Sequence, residues 1–529
     1  MSIKLKKYPQ WLLIALLSIF AALIVVTPIT VKFYQGSFVT AHENFGGFQI
    51  AVEVLTAFIV QYFIAFGLLS LGLFGLVIWT ILFLASLLVT YFFVFLGKNI
   101  DAWVVNDIFE NIGGLTFEYL SIKTAVLALG LTIIFGFLAR LTWSGRRSFN
   151  SKSFLILHSI LILTILLVAI FDEFTVKKIR YNYPPVSIFT SIFKYAKIKK
   201  DSDIKIRKSQ SSEIISRHKI SYTNDKKPRT VVFIIGESLR NDYFYEMLPA
   251  KLKEEKNITF FNEVYSCGTL TRKSIPCLLT NVKHSHWEDF PNSVNMIDVF
   301  KKLNFGTYWI DNQNLYGYFD STYSFLAKSS DVIIEGKFIS ADLGKSNRYD
   351  EFLLPYIKKA IGDETEAKKD KFILIHLLGS HWNLDLRYPE EYAKFSPRCL
   401  VTKSVSDCSK EELINSYKNS VVYSFKVLED ILELFSRENA VVFFTPDHGF
   451  SLQDEGRIGN GANNKPFEQI SVPLFVWHSD QYKKENPDLL KNLLKNSHKK
   501  ITHEYVFHSI LGCSGVGADF IDEDLNLCR

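Results

Sequence analysis

Thr271 lies inside CGTLTRKSIPC, a loop bounded by Cys267 and Cys277, and a hydroxyl held in so short a loop is a candidate nucleophile. Two other segments carry groups able to activate it: VVFIIGES contains Glu237, and AVVFFTPDHG contains Asp447 and His448. Two carboxylates, an imidazole nitrogen and a hydroxyl oxygen suit a borderline divalent ion, Zn2+ foremost, with Mn2+ or Mg2+ as alternatives. Such an ion lowers the pKa of a coordinated hydroxyl and neutralises charge building on a phosphoryl group. An isolated threonine achieves neither near neutral pH. Each signal also has an ordinary reading: a carboxylate after a strand can be a helix N-cap, Thr271 a turn residue, and DHG a turn.

A shared site requires a scaffold that brings these separated segments to one edge. From Thr230 onward, short β-branched or aromatic runs alternate with longer amphipathic stretches. Strands are predicted at Thr230–Ile235, Gly306–Ile310, Phe372–Leu377, Ala440–Phe444 and Val472–Trp477, and helices at Val294–Leu303 and Glu411–Ser436. This alternation predicts an α/β domain over 230–529 with a central, largely parallel sheet. Ligands in such sheets sit beyond the carboxyl ends of the strands. Glu237, Asp311, His381 and the Asp447–His448 pair each follow a predicted strand closely.

The region before Asp172 is of another kind. The whole chain is 48% hydrophobic with 45 Phe, and its apolar residues concentrate there in long uncharged runs. Trp11–Val31 follows Lys4, Lys6 and Lys7, and about 20 apolar residues cross a hydrocarbon core of roughly 30 Å as a helix. It is read as a retained anchor rather than a cleaved signal. Ile50–Leu71, Phe74–Leu96, Thr124–Leu141 and Phe154–Phe171 complete five predicted transmembrane helices over 1–171. The basic N-terminus, and Arg140, Arg146, Arg147 and Lys152 between spans four and five, place the N-terminus in the cytoplasm. Five crossings then put everything after Asp172 outside, which in a bacterium with two membranes is the periplasm.

Cysteine usage agrees, since all six follow Asp172 and disulfides persist in oxidising compartments. The close pairs Cys267 with Cys277, Cys399 with Cys408, and Cys513 with Cys528 suggest three local bridges, although other connectivities are formally open. Residues 172–229 form a basic, Pro-containing connector at the membrane boundary. Within it, Val186–Tyr195 fits either an interfacial amphipathic helix or a helix packed on the soluble domain.

GES at Gly236–Ser238, CGTLTRKSIPC, DNQ at Asp311–Gln313, GSH at Gly379–His381 and DHG at Asp447–Gly449 stand in the order seen in bacterial phosphoethanolamine transferases. The chain resembles that family of the alkaline phosphatase and sulfatase superfamily over nearly its whole length. The family includes the lipid A modifiers behind polymyxin resistance. The resemblance implies five spans followed by a periplasmic α/β domain. It also implies that Glu237, Thr271, Asp447 and His448 are zinc ligands, with Thr271 the phosphorylated nucleophile, and that His381 contacts the phosphoryl group or a second metal. The sequence departs from the pattern at Asn460, where the family has histidine before a glycine, and at Phe450, where it commonly has Glu. Neutral Asn460 neither shuttles protons nor ligates zinc as imidazole does.

The implied reaction is a two-step exchange in an inner-membrane enzyme. Phosphoethanolamine passes from phosphatidylethanolamine to Thr271 with release of diacylglycerol, and then to a lipid A phosphate or core sugar of lipopolysaccharide. Two rivals share the site: a phosphoglycerol transferase using phosphatidylglycerol, and a metal-dependent phosphodiesterase or sulfatase-like hydrolase passing the group to water. An inactive binding module is a third reading, opposed by the intact set of candidate ligands. Arg272 and Lys273 are candidates to hold an acceptor phosphate or to form surface ion pairs. Asp311, Asn312 and Gln313 are candidates to bind the headgroup or to close a βα turn. Asn106, Glu110 and Glu118 are candidates to meet headgroups in an outer loop. His376, inside an apolar run, reads as a hydrogen-bonded core residue, and His284 and His286 as a solvent-facing loop. A monomer is expected, and no basic module with interleaved aromatics calls for nucleic acid.

Overall fold

The runs predicted as strands form the middle of one sheet in the computed structural model. The chain divides into two units, Met1–Lys199 and Lys200–Arg529. Residues 211–222, 229–313, 325–336, 349–362, 370–401, 403, 405–462 and 464–529 are described, together with isolated positions between 18 and 196. In the first unit the described positions are helical, the longest run being 77–86, where Trp79 stacks on Phe83 at 5.0 Å. Among the described residues no helix is long and apolar enough to cross a membrane. The five predicted spans fall almost entirely outside the described residues, and Asn106, Glu110 and Glu118 lie wholly outside them. In the connector, residues 190–193 are helical and Phe193 is 74% exposed.

In the second unit, β1 (Ile220–Tyr222) pairs with β12 (Val516–Ala518). The main sheet has eight strands. They are β2 (Thr230–Gly236), β3 (Ile258–Tyr265), β4 (Gly306–Asp311), β5 (Val332–Glu335), β6 (Lys371–His376), β7 (Ala440–Pro446), β10 (Ser471–His478) and β11 (Ile501–Thr502). Their spatial order is β11-β3-β10-β7-β2-β6-β4-β5. The five strands from β7 to β5 are mutually parallel, whereas β10 runs antiparallel to both β7 and β3. The sheet is therefore mixed but, as expected, largely parallel: five of its seven pairings are parallel, and β10 is the strand that runs the other way. The reason lies between β7 and β10. A parallel return needs a crossover to the opposite edge, usually through a helix. Here the chain instead makes a hairpin of β8 (Ser451–Asp454) and β9 (Arg457–Gly459) and a short turn of helix, Phe467–Ile470, before entering β10.

Both faces of the sheet are covered, which is why its central strands are continuous apolar runs. Alternate residues of a strand face opposite sides. Phe443 belongs to the core shared with Phe233, Phe261, Trp309 and Phe372, where Phe300 stacks on Phe372 at 4.4 Å. Phe444 belongs to the other face, stacked with Phe475 at 4.9 Å and with Phe244 at 6.2 Å. That second face is roofed by α1 (Asn241–Met247) and the long α4 (Lys410–Phe435). A reciprocal cap starts α4: the Ser409 hydroxyl accepts from Glu412 N at 3.1 Å, and the Glu412 carboxylate accepts from Ser409 N at 2.8 Å. On the first face lie α2 (Thr271–Leu279), α3 (Met296–Lys302) and α5 (Glu504–Cys513), with α2 packed on α5.

Strand direction now decides where the loops go. Gly236 pairs with Pro446, so Glu237 and Asp447 leave adjacent strands side by side. Asp311 pairs with His376 one strand further on. Because β10 is antiparallel to both neighbours, β3 runs parallel to β7 and delivers Ser266 and the cysteine loop to the same edge. All three expected disulfides are present, with Cα separations of 6.5 Å for Cys267–Cys277, 5.5 Å for Cys399–Cys408 and 5.3 Å for Cys513–Cys528.

Candidate metal centre and nucleophile

Glu237, Asp447 and His448 offer ligand atoms that all lie within 4.8 Å of one another, and all three side chains are buried. His448 Nδ1 donates to the Gly449 carbonyl at 2.9 Å. That bond leaves the lone pair on Nε2, the tautomer a metal-ligating imidazole requires. Nε2 faces Asp447 Oδ2 at 3.2 Å and Glu237 Oε1 at 3.6 Å. Asp447 Oδ1 accepts from Ser238 N at 3.2 Å and from His448 N at 2.7 Å, whereas the buried Oδ2 accepts no hydrogen bond. Burial, and then the neighbouring Asp447 carboxylate, hold the Glu237 carboxyl well above the usual range. A buried acceptor without a donor, two crowded carboxylates and a directed imidazole lone pair fit a divalent cation.

Thr271 opens α2, with Leu270 extended before it. Its Oγ1 donates to Glu237 Oε2 at 3.2 Å and lies 3.4 Å from His448 Nε2. The hydroxyl therefore borders the candidate ligand set. Its loop is fastened from beneath: the Ser266 hydroxyl donates to the Asp447 carbonyl at 2.6 Å, accepts from Gly268 N at 3.2 Å and lies 3.0 Å from the Ser274 hydroxyl. Gly449 is required by close approach, because a Cβ there would stand 2.2 Å from the Glu468 carbonyl.

The remaining candidates divide by geometry. Gln313 Nε2 donates to Glu237 Oε2 at 3.1 Å and to the Leu377 carbonyl at 3.2 Å, so it reaches the site. Asp311 accepts from Trp309 Nε1 at 2.9 Å and from Gln313 N at 2.5 Å, and its Oδ1 lies 3.2 Å from His376 Nδ1. Asn312 donates to Asp350 at 2.8 Å. Both are buried and hold the βα turn together. Burial opposes charge on His376, yet Asp311 beside it raises its pKa above the ordinary value. Asn460 Nδ2 donates to His448 Nε2 at 3.1 Å, which places the amide against a candidate ligand.

His381 follows a turn in which Gly379 has φ 46° and Ser380 N donates to the Glu237 carbonyl at 3.0 Å. A Cβ on Gly379 would meet that same carbonyl at 2.8 Å. His381 Nδ1 lies 2.5 Å from the Trp382 carbonyl. Arg272 and Lys273 occupy the first turn of α2, half-buried. His284 and His286 stand apart from the candidate metal cluster: His284 meets Lys465, and exposed His286 meets Ser285 at 2.9 Å. Phe450 is buried and stacks on Tyr417 at 6.2 Å. Sequence reasoning missed Ser266 and Asp350. Asp350 accepts from Leu378 N at 2.7 Å and Gly379 N at 2.9 Å and so shapes the His381 turn.

The sulfatase family profile matches residues 229–516. A Kdo(2)-lipid A phosphoethanolamine 7''-transferase of Escherichia coli K12 is 28% identical over 94% of this chain and 93% of its own length. Its counterpart in Salmonella typhimurium is 26% identical over 91% of this chain and 90% of its own. Among solved structures, the integral membrane lipooligosaccharide phosphoethanolamine transferase A of Neisseria meningitidis superposes with a TM-score of 0.73 at 18% identity, covering 97% of each chain. The periplasmic domain of E. coli EptC in complex with Zn superposes with a TM-score of 0.50 at 21% identity, over 59% of this chain and 89% of that one. These two structural likenesses speak to the fold. The chain belongs to the sulfatase family, among the phosphoethanolamine transferases of the alkaline phosphatase and sulfatase superfamily.

Proposed function

We propose that this protein transfers phosphoethanolamine from phosphatidylethanolamine to a lipid A phosphate or core sugar of lipopolysaccharide, through a phosphorylated Thr271. The observation that carries the reading is the Thr271 hydroxyl 3.2 Å from Glu237 and 3.4 Å from His448, beside the unsatisfied Asp447 oxygen. Glu237, Asp447, His448 and Thr271 are the residues to hold a divalent cation, zinc foremost, which when bound acidifies the hydroxyl and offsets phosphoryl charge. Thr271 Oγ1 forms a bond to phosphorus as the bond to the glycerol oxygen breaks, and the threonine proton ends on the departing diacylglycerol. An acceptor oxygen then displaces Thr271 Oγ1, which regains a proton. Gln313 and the Ser238 hydroxyl orient Glu237 from either side, at 3.1 and 2.5 Å. The Gly449 carbonyl keeps His448 in its tautomer.

The setting belongs to the same proposal: five spans over 1–171, a connector over 172–229 and a periplasmic catalytic domain over 230–529, in the bacterial inner membrane as a monomer. The distribution of basic residues, the disulfides and the likeness to an integral membrane phosphoethanolamine transferase support the membrane placement. The test is the intact mass of detergent-purified protein after incubation with mixed phosphatidylethanolamine and phosphatidylglycerol. A phosphoethanolamine adduct is expected in the wild type and absent from Thr271→Ala. A phosphoglycerol adduct would replace the donor, and diacylglycerol release persisting in Thr271→Ala would remove the threonine from the mechanism.

A further inference from the structure

Glu237 and Asp447 leave adjacent strands, and Ser238 joins them. Its N–H donates to Asp447 Oδ1 at 3.2 Å, and its hydroxyl donates to Glu237 Oε1 at 2.5 Å. Both bonds depend on the backbone of Ser238, which stands at φ 57°. That is the left-handed region, which a residue bearing a Cβ populates about tenfold less readily than the right-handed one. Something outside the loop must hold the serine there.

The holder comes from the roof of the sheet. Tyr417, in α4, is fully buried, and its hydroxyl donates to the Ser238 carbonyl at 2.7 Å while accepting from Arg240 N at 2.8 Å. A buried loop that leaves a strand through a left-handed residue offers these two backbone groups to neither sheet nor helix, and such groups need partners. One hydroxyl serves both, bracketing Leu239 and fixing the peptide group on either side of it. The ring of Tyr417 reaches the other ligand-bearing loop: it stacks on Phe450, three residues after Asp447, at 6.2 Å, and meets Tyr243 edge-on at 5.3 Å. Arg240 ties the same two loops, its Nη1 donating to Asp454 Oδ2 at 2.8 Å and to the Phe450 carbonyl at 3.4 Å.

We infer that Tyr417 is a positioning residue for the metal centre: its hydroxyl holds Ser238 in the left-handed conformation from which Ser238 sets the spacing of Glu237 and Asp447. The inference rests on the metal reading of that site proposed above.

The test is the zinc affinity of the full-length, detergent-purified protein, read by competition with a chromophoric chelator and so without turnover. Tyr417→Phe removes the hydroxyl and keeps the ring against Phe450. It is compared in Ser238→Ala and Ser238→Gly backgrounds, which both lack the serine hydroxyl and differ in what the left-handed backbone costs. In the alanine background the loss of the phenol hydroxyl is expected to raise the zinc Kd about tenfold, because alanine then leaves the left-handed region. Glycine populates both signs of φ about equally, so there the same change should raise Kd only about twofold. An equal rise in both backgrounds, or none in either, overturns the positioning role, even if urea denaturation shows lost stability, which a merely structural hydroxyl would also produce. Should Tyr417→Phe unfold, recovery of far-UV circular dichroism on adding Ser238→Gly supports the coupling, and no recovery overturns it. Failure of the wild type to take up zinc would overturn the metal reading and the role of Tyr417 with it, whereas uptake by the wild type with uncoupled variants overturns the role alone.

Discussion

At Glu237 three side chains converge: the Ser238 hydroxyl on one carboxylate oxygen, and the Thr271 hydroxyl and Gln313 amide on the other. Groups that orient a ligand typically contribute about 10- to 100-fold to metal affinity. Gln313→Leu is therefore expected to weaken zinc binding by that range while leaving far-UV circular dichroism unchanged, as read by competition with a chromophoric chelator. Unaltered affinity would show that Gln313 merely closes its turn. Glu237, Asp447 and His448 were legible as candidates because each stands in a short motif after a strand-like run, and Thr271 because two cysteines bound its loop. Asp311, Asn312 and Gln313 were legible as a group but not individually, because the βα turn points one of them at Glu237 and the other two at His376 and Asp350. Ser266 was not legible at all. Its value lies in reaching the Asp447 carbonyl across 181 residues, a relation no local pattern encodes.

Among the elements, β2, β4, β6, β7 and β10 and helices α3 and α4 matched their predicted ranges within a few residues, because uninterrupted apolar runs or a helical period announce them. Strand β3 was missed because Asn262 and Glu263 break its apolar pattern where it is exposed. Helix α2 was missed because Pro276 lies inside it and Thr271 begins it without a capping side chain. Helix α5 carries its own consequence. Burial lowers His503 at its start to about 3 and His508 within it to about 4. A histidine unfolded at its ordinary value of about 6.5 takes a proton there that the folded form refuses. Nothing is lost above that pH, but as pH falls from about 6.5 toward 4 each histidine costs about 1.4 kcal/mol per unit. Hydrogen exchange in α5 should quicken over that window, and His508→Gln should remove part of the change. Exchange independent of pH, after correction for the intrinsic rate, would contradict the burial argument.

Over the whole molecule, covalent staples accompany the sheet. Cys513–Cys528 ties the end of α5 to the chain terminus, where Asn496 also holds the Leu527 carbonyl at 2.9 Å. Closing a loop of this size restricts the unfolded chain by about 3 kcal/mol. The pair Cys513→Ala and Cys528→Ala is thus expected to lower unfolding free energy by about that amount, measured by urea denaturation of the second unit's signal. A loss below about 1 kcal/mol would mean that packing alone secures this end.

The reversal of β10 bears on timing. The strand that carries the cysteine loop and the strand that carries Asp447 and His448 are never neighbours; β10 lies between them and pairs with both. Contacts so distant along a chain form late, because loop closure must precede them. Thr271 and the candidate ligands on β7 therefore remain strangers until residues 471–478 have been synthesised and inserted. A chain emerging N-terminus first passes most of its synthesis as a catalyst with its two halves held apart.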